Sequence, residues 1–148
     1  MRLSLPLAVA LTASRVFLPG VETVTPNRIR LVPDTLPEHV IQRSEDAFNR
    51  HDAKALGALY APTAVLSFVG ADSTARNWPA SPDSVAVAIA RYWTSQKKPP
   101  TIKHLQRMSA GPFVADKYEL RDDRGATYAL DIYEVRGGLI VHEWQPLP

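Results

Sequence analysis

The feature that most constrains this chain is Gly137-Gly138, set between two runs rich in β-branched and aromatic residues, Thr127 to Arg136 and Leu139 to Gln145. Two adjacent glycines accept positive φ at both central positions of a type I′ turn, so the flanking runs are predicted to pair as an antiparallel hairpin. A two-residue turn sets the register: Val135 opposite Ile140, Tyr133 opposite His142, Asp131 opposite Trp144. Side chains alternate along a strand. One face is therefore expected to carry Ala129, Asp131, Tyr133, Val135, Ile140, His142 and Trp144. The other carries Leu130, Ile132, Glu134, Val141, Glu143 and Gln145. The first face places a carboxylate and an imidazole among aromatic rings, which makes it the best site candidate in the chain.

Upstream, Thr35-Leu-Pro-Glu38 has a capping-box pattern with a proline in the first turn, and the helix it starts is predicted to run to about Asn49. Val40, Ile41, Ser44, Ala47, Phe48 and His51 share one of its faces. Asp52 is placed to cap a short second helix through Leu56, Leu59 and Tyr60, ended by Pro62. Ala64 to Val69 reads as a strand, and Gly70 to Ala80 as a loop. Ser81-Pro82-Asp83 starts a third helix, with Val85, Ala88, Ile89, Tyr92 and Trp93 as its apolar stripe. Strands follow at about Thr101 to Met108 and Phe113 to Leu120, with a turn at Asp122 to Gly125. The order is α-α-β-α-β-β-β-β. Early helices and late antiparallel strands predict an α+β fold, a curved antiparallel or mixed sheet wrapped around the N-terminal helices.

A chain of 148 residues with 45% hydrophobic and 22% charged residues is sized for one domain. A formal charge of +2, without a basic run, gives nucleic acid no footprint. With no cysteines, disulfides, thiolate metal sites and cysteine nucleophiles are excluded. Met1-Arg2, the apolar run Leu3 to Ala13 and the small residues Thr12 to Ser14 read as an export signal. The expected organisation is a signal peptide at 1–20, a proline-bearing linker at 21–34 and the domain at 35–148. The product is secreted or periplasmic, and no membrane partner is expected once the signal is removed. The other reading of the N-terminus, with Pro6 interrupting the run, leaves a cytoplasmic protein.

Three strings resemble the nuclear transport factor 2-like superfamily, the α+β cone (cystatin-like) fold of ketosteroid isomerases and SnoaL-type polyketide cyclases. They are Val40 to Asp52, similar to its first helix, Ala55 to Val65, similar to its second helix and first strand, and Asp131 to Val141, similar to its closing hairpin. The resemblance covers about residues 35–148. It implies a cavity between helices and sheet, and it places Asp131 where the isomerases carry a hydrogen-bond-donating Asp. Ser44 stands where they carry a Tyr and Phe68 where they carry the base, which argues against ordinary steroid isomerisation. Gln145 stands where the cyclases carry a carboxylate, with His142 and Glu143 beside it.

Asp131, buried beside aromatics, is expected to have a raised pKa and to exchange protons near neutral pH. His142, diagonal to it in the expected register, is the candidate base. The plainer alternatives are a hydrogen-bonded carboxylate and a hydrogen-bonded core or rim histidine. Tyr133 and Trp144 are candidate ligand contacts, with Ser44, Tyr60, Phe68, Tyr92 and Trp93 as further candidate cavity wall. For the aromatics, plain core is the competing reading. The scattered histidines His39, His51, His104 and His142 form no two-His motif, so no metal is expected. No cofactor is expected either. Leu130, Ile132 and Val141 on the hairpin's other face suggest a homodimer through the outer sheet face. The expected function is a pocket for a small apolar or aromatic ligand, with proton-transfer (isomerase- or cyclase-like) chemistry if catalytic. The alternative is a non-catalytic binding or dimer-forming module.

Overall fold

The computed structural model describes residues 35–146 except Ser73; the expected signal and linker lie outside the described residues. Helix α1 spans Pro37–Asn49, with Pro37 in its first turn as expected. Its N-cap is Leu36, one residue after the expected cap Thr35, and Leu36 has no capping side chain. The helix closes through two bonds of 2.9 Å, Asp52 N–H to the Ala47 carbonyl and His51 N–H to the Phe48 carbonyl. This is a Schellman closure, which needs a left-handed residue. His51 fills that place at φ 55°, and its ring lies 3.1 Å from the Pro100 carbonyl and edge-on to Trp93.

Helix α2 spans Ala53–Gly57, with Asp52 accepting from Ala55 N–H at 2.9 Å. At Gly57 a side chain would meet the Pro82 carbonyl at 2.3 Å, so glycine lets α2 approach the start of α3, Pro82–Thr94. Ser81 caps α3 as expected, accepting from Ser84 N–H at 3.3 Å.

Six strands form one sheet: β1 Tyr60–Val69, β2 Ala75–Pro79, β3 Thr101–Ala110, β4 Phe113–Asp122, β5 Gly125–Arg136 and β6 Leu139–Pro146. Their order is β2-β1-β6-β5-β4-β3, antiparallel except for β1 beside β6. The helices pack on the inner face, where Val40, Ile41 and Phe48 of α1 join Val114, Val135 and Ile140 in the core. This is the expected α+β cone, with two corrections upstream. The segment expected as a loop contains β2, an edge strand of five exposed residues paired with β1. Tyr60 opens β1 instead of ending α2, and Pro62 sits where the β1–β6 pairing is irregular, a place that tolerates a missing N–H.

Two bulges decide which side chains face inward. Gly137 and Gly138 both have positive φ (58° and 81°), and Val135 pairs with Ile140 as expected. The register then shifts, leaving Val141 as the extra residue on β6: Glu134 pairs with His142, Tyr133 with Glu143 and Ile132 with Trp144. In β3 the extra residue is Leu105, between the pairs His104–Tyr118 and Gln106–Lys117.

Candidate functional site

A cavity of about 720 Å³ lies between the helices and the inner face of the sheet. Phe48 of α1, Leu66 and Phe68 of β1, Trp78 of β2, and Val85, Ala88, Ile89 and Tyr92 of α3 give it apolar walls. The sheet floor contributes Asp116 and Tyr118 from β4, Asp131 and Tyr133 from β5, and Glu143 and Gln145 from β6. Four of the lining side chains are carboxyls (Glu45, Asp116, Asp131 and Glu143), and no Lys, Arg or His lines the cavity among the described residues.

Asp131 is 4% exposed. Its Oδ2 accepts from the Tyr118 hydroxyl at 2.7 Å and, more weakly, from the Tyr133 hydroxyl at 3.4 Å. Burial pushes its carboxyl from the ordinary 3.8 up to about 7, the neighbouring Glu143 adds to the rise, and the two tyrosine bonds offset part of it. Glu143, equally buried, accepts from the Tyr60 hydroxyl at Oε2 and from Gln145 Nε2 at Oε1, the latter at 2.7 Å. Burial raises its carboxyl as well. The Tyr60, Tyr118 and Tyr133 hydroxyls are pushed far above their ordinary range by burial, so they remain donors.

A second pair of acids is partnered differently. Asp116 accepts from Arg107 Nε at 2.9 Å and lies 3.0 Å from His104 Nδ1. Arg107 Nη2 reaches Glu45 Oε1 at 2.8 Å, an ion pair by distance though not aligned as a hydrogen bond. Burial first, and then Asp116, raise the Glu45 carboxyl to about 7, with Arg107 opposing. Glu45, His104 and Asp116 bring three potential metal-ligating atoms within 4.8 Å of one another. The sequence offered no sign of this cluster, because its members come from three elements. Arg107 already supplies the positive charge there, so the cluster reads as an ion-pair network.

The expected pocket face is corrected at two positions. The bulge at Val141 turns His142 and Trp144 to the outer side of the sheet and brings Glu143 and Gln145 inward. His142 stacks on Trp144, with ring centroids 3.8 Å apart. Its Nε2 lies 2.7 Å from Ser67 Oγ, which donates to Asn77 Oδ1 at 2.6 Å. Burial lowers its pKa. On the outer face it does not meet Asp131. Trp93 also misses the cavity: it packs edge-on against Phe48 and lines a separate hollow of about 330 Å³ beside His51.

Ser44, Tyr60, Phe68, Tyr92 and Tyr133 do line the cavity with Asp131. Tyr60 and Tyr133 hold the acids, whereas Ser44 Oγ donates to the Ile41 carbonyl at 2.8 Å and the Tyr92 hydroxyl to Asp122 at 3.0 Å. The sequence reading missed Glu45, Asp116, Tyr118 and Glu143 as cavity residues. The alternation Val114, Asp116, Tyr118, Leu120 along β4 carried the signal for two of them.

The model of the SnoaL-like domain family matches residues 41–143. No curated protein matches the chain. Among solved structures, IdmH of Streptomyces antibioticus, a candidate polyketide cyclase, is similar at 23% identity and TM-score 0.57, over 74% of this chain and 89% of that one. A candidate ketosteroid isomerase from Kribbella flavida is 14% identical at TM-score 0.58, over 76% and 77%. A protein of ketosteroid isomerase-like fold from Catenulispora acidiphila, in complex with trimethylamine, is 13% identical at TM-score 0.56, over 72% and 82%. At these identities the likeness shows the fold.

Proposed function

The chain belongs to the SnoaL-like domain family, and from that premise we propose that its cavity binds a small, mainly apolar molecule and moves a proton on it through Asp131 and Glu143. The observation that carries this reading is the pairing of these two acids. Both are buried, both face the cavity from adjacent strands, and both are held by tyrosine hydroxyls. Asp131, poised at about 7, exchanges protons readily at neutral pH. The ionised member accepts a proton from an acidic C–H or O–H of the ligand. The protonated member returns one at another atom, so the pair ends the cycle with the protons it began with. The apolar walls keep water from competing.

The test is hydrogen–deuterium exchange into a panel of cyclic enolisable ketones, followed by NMR. Asp131→Asn is expected to lower a protein-dependent rate by about 10²–10⁴-fold. Exchange that survives in both Asp131→Asn and Glu143→Gln would remove the proposal.

A second reading rests on Phe68 and Gln145. Both line the cavity at the places where the isomerases and cyclases this chain resembles carry carboxylates. On that reading the domain binds a ligand without transforming it, and ligands bind with no exchange at all.

For the outer sheet face we propose a second copy of this chain, because Met108, Phe113 and Leu130 are 64%, 44% and 45% exposed there. Sedimentation of the full chain tests it: a monomer at micromolar concentration is the contrary result. Export of the chain is likewise a proposal, tested by fractionating cells that express it with a C-terminal tag.

A further inference from the structure

The lining of the cavity is chemically one-sided. Its four carboxyls face no lining Lys, Arg or His. Arg107 stands behind the lining and is engaged with Asp116 and Glu45. Among the described residues Asp131 and Glu143 have only uncharged partners: the Tyr118 and Tyr133 hydroxyls on one, the Tyr60 hydroxyl and the Gln145 amide on the other. Among the described residues no cation lies within ion-pair distance of either acid. Nor does any hydrogen bond reach Asp131 Oδ1, although the residue is 4% exposed and lines the cavity.

A buried carboxylate needs a partner charge, or it keeps its proton. Burial alone pushes both of these acids toward the protonated form. The cavity also presents aromatic rings from the helices, from β1 and from the sheet floor, and ring faces attract cations once water is excluded. A bound cation would supply a countercharge that none of the described residues supplies at Asp131 and Glu143, and would meet those faces at the same time. An anionic ligand would meet acids on the floor and no basic group.

We infer that the ligand of this cavity is a small organic cation, an amine or quaternary ammonium on an apolar body, with its charge held between Asp131 and Glu143. This rests on the reading that the cavity binds a small molecule, and it narrows that reading to a substrate class.

The probes are benzyltrimethylammonium and neopentylbenzene, which differ in a single nitrogen-for-carbon replacement and so in charge alone. Binding to the full chain is followed by NMR shifts of the cavity tyrosines. The cation is expected to bind at least about ten-fold more tightly than its neutral twin. Asp131→Asn and Glu143→Gln are each expected to cut that preference while leaving neopentylbenzene binding in place. Equal or tighter binding of the neutral probe to the unaltered protein overturns the cation assignment and leaves the small-molecule reading standing. Binding of neither probe, at concentrations that saturate comparable apolar cavities, removes both. A preference for the cation that survives in both variants places its charge elsewhere and overturns the assignment to these acids. The wild-type comparison needs no variant, so a poorly folding mutant cannot shield the inference.

Discussion

Two pairs of acids line one cavity and are treated in opposite ways. Glu45 and Asp116 share a guanidinium, and His104 stands beside them. Asp131 and Glu143 share no charge and are held by three hydroxyls and an amide. The first pair resembles an ordinary structural network, whose breakage leaves unpaired buried charge. The second has hydrogen bonds sufficient to order its carboxyls and too weak to fix their ionisation. Under the proposed function, this contrast separates scaffold from site.

The largest expected effect comes from breaking the first pair. Arg107→Met removes the guanidinium shared by Asp116 and Glu45, leaving only His104 beside them, and should cost about 3–5 kcal/mol in denaturant unfolding. A loss below about 1 kcal/mol would erase the distinction between the pairs.

Next in size, and opposite in sign, is Asp131→Asn. The folded carboxyl titrates at about 7 against an ordinary 3.8, so its contribution to stability is fully present below pH 3.8 and is lost as pH rises to about 7. At pH 8 the amide variant should therefore be the more stable protein, by roughly 2–4 kcal/mol, and the gap should close toward pH 4. Thermal unfolding at both pH values measures this, and a variant destabilised at pH 8 would contradict it.

Tyr118→Phe removes the 2.7 Å bond that favours the ionised Asp131. It should raise the Asp131 titration further and cost about 1 kcal/mol. Glu143→Gln should move the same titration down, since the Glu143 charge contributes to the rise. The smallest effect is expected at His142. It lies on the outer face, so His142→Ala should change cavity ligand affinity by less than about two-fold. A large loss would put His142 back in the site.

Much of the fold could be read from the sequence because periodicity and punctuation agreed. Ser81-Pro82 fixed the start of α3, the stripe from Val40 to Phe48 fixed the buried face of α1, and Gly137-Gly138 fixed the hairpin turn. Strand β2 was hidden because all five of its residues are exposed, so no alternation marks it. The inward face of β6 was misread because of a bulge. A bulge adds one residue without any residue type to announce it, and Val141 and Leu105 are ordinary strand residues. A straight β6 would send His142 inward and Glu143 outward; the bulge reverses both. In a straight β3, His104 and Arg107, three apart, would lie on opposite faces, and the bulge brings both to Asp116. Asp131 was placed correctly because β5 keeps its alternation through the hairpin, with the extra residue on its partner.

The most direct test of the central claim is the titration of the Asp131 carboxyl carbon by NMR, with Asp131→Asn for assignment and Glu143→Gln as the coupled variant. Asp131 is predicted to titrate near 7 and to fall when Glu143 is neutralised. A midpoint at or below 3.8, unmoved by Glu143→Gln, would mean a solvated or ion-paired carboxylate. The difference between the two acid pairs would then vanish, and the proposed proton-transfer function with it.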